Sequence, residues 1–191
     1  MKHLITASAL AFTLALSPVA YARDEGDSQK MMMQSSPDAA KAPFDIQYLD
    51  TMSQHHRDGI KMMEMAVDKA QSQEIKSMAQ HMMDDQQKEI EELKSIREHV
   101  KADAPEAVNM KMPGMMMMDK KMAKMEAASG SDFDRHFLKT MTSHHKGAVK
   151  MSDAALKQAK HAEVKTKAQE IHDKQKKEVS DMEMMLSKMK S

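Results

Sequence analysis

The residues of this sequence that are best suited to chemistry are histidines and methionines. A methionine followed three and four residues later by two adjacent histidines occurs twice, as Met52, His55, His56 and as Met141, His144, His145. Thioether sulfur and imidazole nitrogen suit Cu(I) and Ag(I), imidazole can also hold Cu(II), and hard ions such as Mg²⁺ prefer oxygen. Methionine needs no deprotonation, so it competes for metal even in acid. The motif therefore predicts a soft-metal site, with copper as the first candidate.

The motif lies in a segment with helical periodicity, which determines where its side chains point. Projected at 100° per residue, Met52, His56, Gly59 and Met63 form one stripe, which we expect to face the interior. A single inward histidine is more often an ordinary core residue than a ligand. Because the same pair recurs 89 residues later behind the same methionine, a ligand role is favoured. Met52 lies one helical turn from the histidines, about 4.5 to 6 Å of rise, so they can share an ion.

The repetition extends over two long segments of the chain. With a constant offset of 89, residues 44–99 align without gaps on residues 133–188, pairing Phe44-Asp45 with Phe133-Asp134 and Lys61-Met62 with Lys150-Met151. Each repeat is long enough for two helices of roughly 25 residues, broken near Gln71-Ser72 and near Lys160-His161. The predicted fold is all-α, a ferritin-like four-helix up-down bundle built from two duplicated helical hairpins.

This topology predicts two layers of metal ligands. If the first helix of each repeat runs in the same direction, Met52, His55 and His56 lie level with the second motif and form the main site. A second layer nearer the turns is then expected to contain Met62, Met63, His81, Met82, Met151 and His172. The methionines of that layer could equally be gap-filling core residues. A repeated Gln-x-x-Glu, Gln86 with Glu89 and Gln175 with Glu178, is predicted to clamp the histidines from the facing helix, or else to be the solvated side.

The linker between the repeats, residues 100–131, is the third place where methionines concentrate. Consecutive residues on a helix point about 100° apart, so four adjacent methionines cannot share one buried face. We therefore expect this segment to be irregular and mobile, binding metal more weakly than the bundle. Its candidate ligands are Met112, Met115, Met116, Met117 and Met118.

The remaining features bound the class of protein. Residues 1–22 read as a signal peptide ending in Ala20-Tyr21-Ala22, residues 23–43 as a flexible tail that contains methionines, and residues 44–190 as the bundle, with repeat two at 132–190. The predicted location is periplasmic or secreted. Methionine provides 25 of the 191 residues, cysteine none, and the 29 basic residues balance the 29 acidic ones. With two Tyr, four Phe and no Trp, nucleic-acid binding is not expected, and no mature segment is apolar for long enough to span a membrane.

The duplicated motif also carries a family resemblance. Met-x-x-His-His with a methionine in the following turns and Gln-x-x-Glu on the next helix resembles the ferritin-like family known as domain of unknown function 305, whose better understood members are similar to CopM-type periplasmic copper-binding proteins. The resemblance covers about residues 44–99 and 133–190. It implies a four-helix bundle, copper binding outside the cytoplasm and a role in metal tolerance.

The predicted function is copper binding, with Ag(I) and Cu(II) left open, for sequestration, tolerance or transfer, in the last case to a copper efflux or delivery protein. A di-iron enzyme would need Glu-x-x-His on two helices, and the sequence contains none, so no enzyme is expected. The alternative is a methionine-rich helical interaction or chaperone-like protein without a dedicated metal site. That alternative leaves the duplicated histidine pairs without a role.

Overall fold

The computed structural model describes residues 34–115 and 119–189, and this part of the chain is all-helical. After a short 3-10 helix, Ala39–Lys41, come five α-helices. They are α1 (Phe44–Lys69), α2 (Gln73–Lys101), α3 (Asp119–Ala127), α4 (Gly130–Gln158) and α5 (Ala162–Lys188). None of the helices in the described ranges is long and apolar enough to cross a membrane.

The start of α1 and the breaks within the two repeats fall where the sequence predicted, while α4 begins at Gly130, inside the predicted linker. Pro43 precedes α1, because proline cannot donate a backbone hydrogen bond but fits a helix start. Between α1 and α2 the chain becomes extended at Ala70, and Ser72 caps α2 by accepting a hydrogen bond from the backbone of Ile75. The second break falls at Ala159 and His161, which are also extended. The predicted breaks are therefore confirmed.

Helix α1 packs along α2, α4 packs along α5, and the two hairpins meet chiefly through α1 and α4. Two buried aspartates join the hairpins. Asp45, in the first turn of α1, accepts hydrogen bonds from the backbone N–H groups of Lys160 and His161 between α4 and α5. Asp134, near the start of α4, accepts from the backbone N–H groups of Gln71 and Ser72 between α1 and α2, both at 2.9 Å. Each hairpin thus binds the turn of the other.

These contacts require α1 and α4 to be antiparallel. The start of α1 meets the end of α4, and Tyr48 contacts Ser152 through their hydroxyls at 3.3 Å. The expected parallel arrangement of these helices is therefore wrong. A short connection after α2 would have returned the chain parallel to α1, but here about 30 residues separate α2 from α4. A linker of that length can cross the molecule before α4 begins, as in folds with one long crossover.

The core consists mainly of two apolar clusters, one on each half of the α1–α4 contact. The Phe133 cluster combines the second half of α1, from Met62 to Ala70, with the first half of α4, from Phe133 to Met141. The Tyr48 cluster combines the first half of α1 with the second half of α4, and it contains Met52 and Met151. Because the repeats are antiparallel, equivalent residues of the two repeats lie in opposite clusters.

The segments predicted to be mobile pack in part. Met112 and Met125 of the linker are buried, and the linker forms helix α3. Gly114 has φ +96° and its backbone lies so close to Gly147 of α4 that a Cβ on Gly147 would stand 2.4 Å from the Gly114 carbonyl oxygen. The argument that consecutive methionines cannot share a helix face still allows single methionines to enter the core from a loop. The expectation of an unpacked linker is therefore wrong for these residues.

The segment predicted to be a flexible tail, residues 23–43, is packed against the rest of the protein from residue 34 onwards. The backbone of Ser36 donates to the carbonyl of Val108 at 2.8 Å, and buried Ala39 packs with Ile46 and Ala107. Residues 34–43 are thus attached to the linker and α1. The predicted signal peptide and residues 23–33 lie outside the described residues.

Candidate metal centre

The two histidine pairs come together at the contact between α1 and α4. All four histidines are buried, with at most 3 % of their surface exposed. The rings of His55 and His144 stack with centroids 3.7 Å apart and planes 31° apart. His56 and His145 flank this stack, with ring centroids 6.4 Å and 6.0 Å from those of their sequence neighbours His55 and His144. The predicted pairing of the two motifs' histidines is present in the structure.

The facing helices supply a carboxylate to each flanking histidine. His56 Nε2 lies 2.9 Å from Glu89 Oε2 of α2, and His145 Nε2 lies 2.9 Å from Glu178 Oε2 of α5. The atoms are within ion-pair distance, although their alignment is not that of a directional hydrogen bond. The interpretation of Gln-x-x-Glu as a clamp, rather than as a solvated side, is confirmed for the two glutamates.

Each motif histidine has a buried Nδ1 without a hydrogen-bond partner among the described residues, and the buried Nε2 atoms of His56 and His145 have only their ion-pair contacts with the glutamates. The Nε2 of His144 lies 3.1 Å from the carbonyl oxygen of His55 and can donate to it. Nε2 of three rings lies within 3.1 Å of an acceptor oxygen, and placing the proton on that atom leaves the Nδ1 lone pair available. Metal-binding histidines are commonly held in this way.

Two glutamines complete the polar interior. Gln86 and Gln175 are 2 % and 0 % exposed, and their amide atoms have no hydrogen-bond partner among the described residues. Gly59 makes room for Gln86 and His144, since a Cβ there would lie 2.6 Å from Gln86 Oε1 and 2.9 Å from His144 Cε1. Buried polar atoms without partners cost free energy, so such a concentration is expected at a functional site rather than in a plain core.

Burial also sets the charge state of the central histidines. Burial lowers the pKa of His55 well below its usual value, and the neighbouring His56 and His145 lower it further. Burial, followed by His55, His145 and His56, lowers the pKa of His144 in the same way. Burial alone would raise the pKa of Glu89, but His56 and Lys174 outweigh it and lower that pKa to about 2. The centre thus combines neutral imidazoles with an ionised carboxylate.

These pKa shifts predict that the metal-free protein loses stability in mild acid. Unfolded histidines bind protons below about pH 6.5, whereas His55 and His144 resist protonation in the folded state. The unfolded state then binds more protons, so the free energy of unfolding falls as the pH drops from 7 to 5, by up to about 1.4 kcal/mol per pH unit for each histidine. Urea denaturation at several pH values measures this slope.

In the double variant His55→Asn/His144→Asn, the free energy of unfolding should change less with pH than in the wild type. The control His81→Asn/His99→Asn replaces two exposed histidines and should have the same pH dependence as the wild type. A wild-type stability that is constant or increases towards pH 5 would contradict the prediction. An ordinary imidazole is largely protonated at pH 5. Two of the four rings resist protonation there.

The residues predicted for the second layer are not brought together. Met62, Met63 and Met82 lie in the Phe133 cluster, but Met151 lies in the Tyr48 cluster. His81 is exposed on α2, and His172 lies at the surface, with Nδ1 2.8 Å from Asp173 Oδ1. The single second layer is therefore wrong, because it depended on the parallel arrangement of α1 and α4.

The antiparallel arrangement of α1 and α4 also separates the two methionines of the main motif. Both are buried, but Met52 packs in the Tyr48 cluster and Met141 in the Phe133 cluster, so the histidines lie between them. Of the linker candidates, Met112 is buried in the Tyr48 cluster and Met115 packs against it. Met116, Met117 and Met118 lie outside the described residues.

Sequence reasoning missed two features of this region. It aligned Asp45 with Asp134 without recognising that each binds the turn of the other hairpin, and it did not anticipate the contact between Gly114 and Gly147. The duplication of an acidic residue at the start of both repeats was the available signal for the first. Nothing local in the sequence indicates the second, because it joins residues far apart in the chain.

The donor set decides which ions this centre fits. No group of three or more His, Asp or Glu residues in the described ranges has the arrangement of a metal site. An ion here would need other donors, and thioether sulfurs are those that the motif places one turn before the histidines. Neutral imidazole nitrogen with thioether sulfur is a soft set that matches copper and silver and does not match Mg²⁺ or Ca²⁺.

Comparison with known proteins identifies the family. The model of the family described as domain of unknown function (DUF305) matches residues 18–97 and 96–186. This chain belongs to the DUF305 family. The family model matches the chain twice, and the two matches together cover nearly all of the described residues. The predicted family resemblance is confirmed.

Solved structures support the DUF305 fold. A DUF305 protein from Streptomyces coelicolor, named as a candidate secreted protein, has a TM-score of 0.70 and 21% identity, covering 81% of this chain and 97% of that one. A DUF305 fragment from Deinococcus radiodurans has a TM-score of 0.68 and 23% identity, covering 77% and 97%. At these identities the likeness shows the fold alone.

CopM is more similar in sequence. Its Cu(II)-bound structure has a TM-score of 0.65 and 29% identity, covering 75% of this chain and 96% of CopM. CopM has also been solved with Cu(I) and with Ag, at 28% identity in both cases. No curated protein matches this DUF305 chain.

Proposed function

We propose that this DUF305 protein binds copper outside the cytoplasm, at the buried histidine pairs of α1 and α4. The observation that carries the proposal is the set of four buried Nδ1 atoms without partners, in rings whose Nε2 atoms mostly face acceptor oxygens. Stacked imidazoles of a plain core would be expected to satisfy both nitrogens or to be replaced by apolar residues. The similarity to CopM, solved with Cu(I), Cu(II) and Ag, supports the same conclusion.

The chain's own residues would hold copper as cargo rather than use it for catalysis. The neutral rings of His55 and His144 offer nitrogen lone pairs without first releasing a proton. Glu89 and Glu178 orient the flanking rings and balance positive charge in the buried centre. Met52 and Met141, three residues before the first histidine of each pair, are the thioethers nearest to the histidines in sequence. The surrounding apolar clusters exclude water.

Several finer features belong to this proposal. We infer a ferritin-like four-helix bundle with one crossover connection, export by the signal peptide to the periplasm or the exterior, and a role in copper sequestration, tolerance or transfer. A copper efflux or delivery protein would be the partner in transfer. The alternative of a methionine-rich interaction surface is less favoured. Met184, at 53 % exposure, is the only large apolar side chain that is exposed among the described residues.

A metal titration tests the proposal. The mature, metal-free protein, beginning near Arg23, is titrated with Cu(I) under reducing conditions in competition with a chromophoric Cu(I) chelator, and separately with Cu(II) and Mg²⁺. We expect at least one equivalent of tightly bound copper and no competition from Mg²⁺. X-ray absorption at the copper edge should show nitrogen neighbours. Copper retained no better than by the buffer, or bound without nitrogen neighbours, would refute a histidine centre.

A further inference from the structure

The internal duplication allows the two apolar clusters to be compared position by position. Most buried apolar positions of the first repeat have an apolar equivalent 89 residues later in the opposite cluster, as Met62 has Met151 and Ile75 has Val164. The Phe133 cluster is much richer in methionine than the Tyr48 cluster. Its buried methionines are Met62, Met63, Met82, Met125, Met141 and Met182, and those packed against it are Met65, Met78, Met83, Met122, Met185 and Met189. The Tyr48 cluster has Met52, Met112 and Met151 buried, with Met115 packed against it.

The difference between the clusters is not required for packing. Met82 and Met182 of the Phe133 cluster correspond to Ile171 and Leu93, which are buried in the Tyr48 cluster. Met185 and Met189 likewise correspond to Ile96 and Val100, which pack against the Tyr48 cluster. The same fold therefore accepts branched aliphatic side chains at equivalent positions. Methionine at these four positions calls for a reason other than filling space.

The methionines of the Phe133 cluster come from several different helices. Residues three or four apart lie on the same helix face. Met78 and Met82 on α2, Met122 and Met125 on α3, and Met182 and Met185 on α5 all have this spacing and all belong to the Phe133 cluster. Helices α1 and α4 add Met62, Met63 and Met141. Three or four sulfurs from different helices are the donor set that a soft cation takes.

The charge of the cluster further restricts the ion. Thioethers are neutral, so a buried cation would keep its full charge in an apolar surrounding, and the cost of burial is lower for one charge than for two. Asp134 borders the cluster, but its carboxylate is engaged by Gln71 and Ser72. A cleft of about 160 Å³ borders the cluster at Met185 and Met189, and its rim carries both acidic and basic side chains. It is lined by Ser72, Glu74, Ile75, Asp134, Leu138, Met185, Lys188 and Met189. A monovalent soft cation fits these conditions.

We propose that the Phe133 cluster is a second metal site, formed by thioethers alone, which takes Cu(I) or Ag(I) independently of the histidine centre. This goes beyond the proposed function, because it involves different residues and excludes Cu(II). Thioethers do not titrate in the accessible pH range, so occupancy of this site is the same at pH 5 and pH 7. The proposal therefore predicts two kinds of cation site, one that depends on the histidines and one that does not.

The test uses substitutions that the molecule already contains in its other half. The variant Met82→Ile/Met182→Leu/Met185→Ile/Met189→Val gives the Phe133 cluster the residues of the Tyr48 cluster. The control Met110→Leu/Met184→Leu removes two methionines outside the Phe133 cluster. Equivalents of Ag(I) bound after ultrafiltration are counted by mass spectrometry of the metal at pH 5 and pH 7. Helicity by circular dichroism accompanies each measurement.

We expect the four-fold variant to bind about one Ag(I) fewer than the wild type at both pH values, and the control to bind as many as the wild type. A variant in which all four motif histidines are replaced by alanine should still bind this Ag(I). Failure of the methionine site can therefore be distinguished from failure of the proposed histidine centre. Equal Ag(I) binding by a helical four-fold variant and the wild type would overturn the proposal. If the four-fold variant loses helicity, Met82→Ile/Met182→Leu decides the question with the same two outcomes.

Discussion

Copper affinity is expected to fall at least tenfold, about 1.4 kcal/mol, when all four motif histidines are replaced by alanine. The variant carries His55→Ala, His56→Ala, His144→Ala and His145→Ala. Their buried Nδ1 atoms have no hydrogen-bond partner among the described residues, and the substitutions remove all four of these nitrogens. Helicity should remain close to that of the wild type, because neither large apolar cluster includes these histidines. Competition titration with Cu(I) measures the affinity, and far-ultraviolet circular dichroism measures the helicity.

The control for this variant removes histidines that lie at the surface. His81→Ala/His99→Ala changes two exposed imidazoles and should leave the tightest copper binding unchanged. If the four-fold histidine variant binds copper with unchanged affinity, the buried histidine pairs are structural residues and not ligands. Equal losses in both variants would indicate general imidazole binding rather than a centre at the α1–α4 contact.

Removing either interhairpin aspartate is expected to destabilise the protein by about 3 kcal/mol or more, since a hydrogen bond to a charged group contributes about 1.5 to 3 kcal/mol. Asp134→Ala leaves the N–H groups of Gln71 and Ser72 without their acceptor, and Asp45→Ala does the same to Lys160 and His161. Both carboxylates are buried, at 3 % and 2 % exposure, so water does not readily replace them. Urea denaturation of the metal-free protein measures the loss.

Asp132 provides a matched control for these variants. It lies two residues before Asp134, in the first turn of the same helix, but is exposed. Asp132→Ala should change the free energy of unfolding by less than about 0.5 kcal/mol, the usual range for surface substitutions. If Asp134→Ala and Asp132→Ala have the same small effect, the contacts between hairpins do not hold α1 and α4 in their antiparallel arrangement.

Local features of the sequence were sufficient to predict the helices and the residues of the centre. Helical periodicity, the proline before Phe44 and the breaks between repeat halves depend on neighbouring residues, so they can be recognised without a tertiary structure. The recurrence of His55 as His144, and of Glu89 as Glu178, identified groups that the structure brings into contact. Whether those groups hold copper stays a prediction.

Only the tertiary structure decided the direction of α4 and, with it, which methionines are neighbours. A periodic pattern shows which face of a helix is buried, but that face is the same whether the partner helix runs parallel or antiparallel. The direction depends on the path of the linker and on contacts between distant residues, such as Asp45 with Lys160 and Asp134 with Gln71. The antiparallel arrangement keeps the histidines together, because they lie near the midpoint of the α1–α4 contact. Residues farther from that midpoint, such as Met62 and Met151, are carried to opposite halves of the molecule.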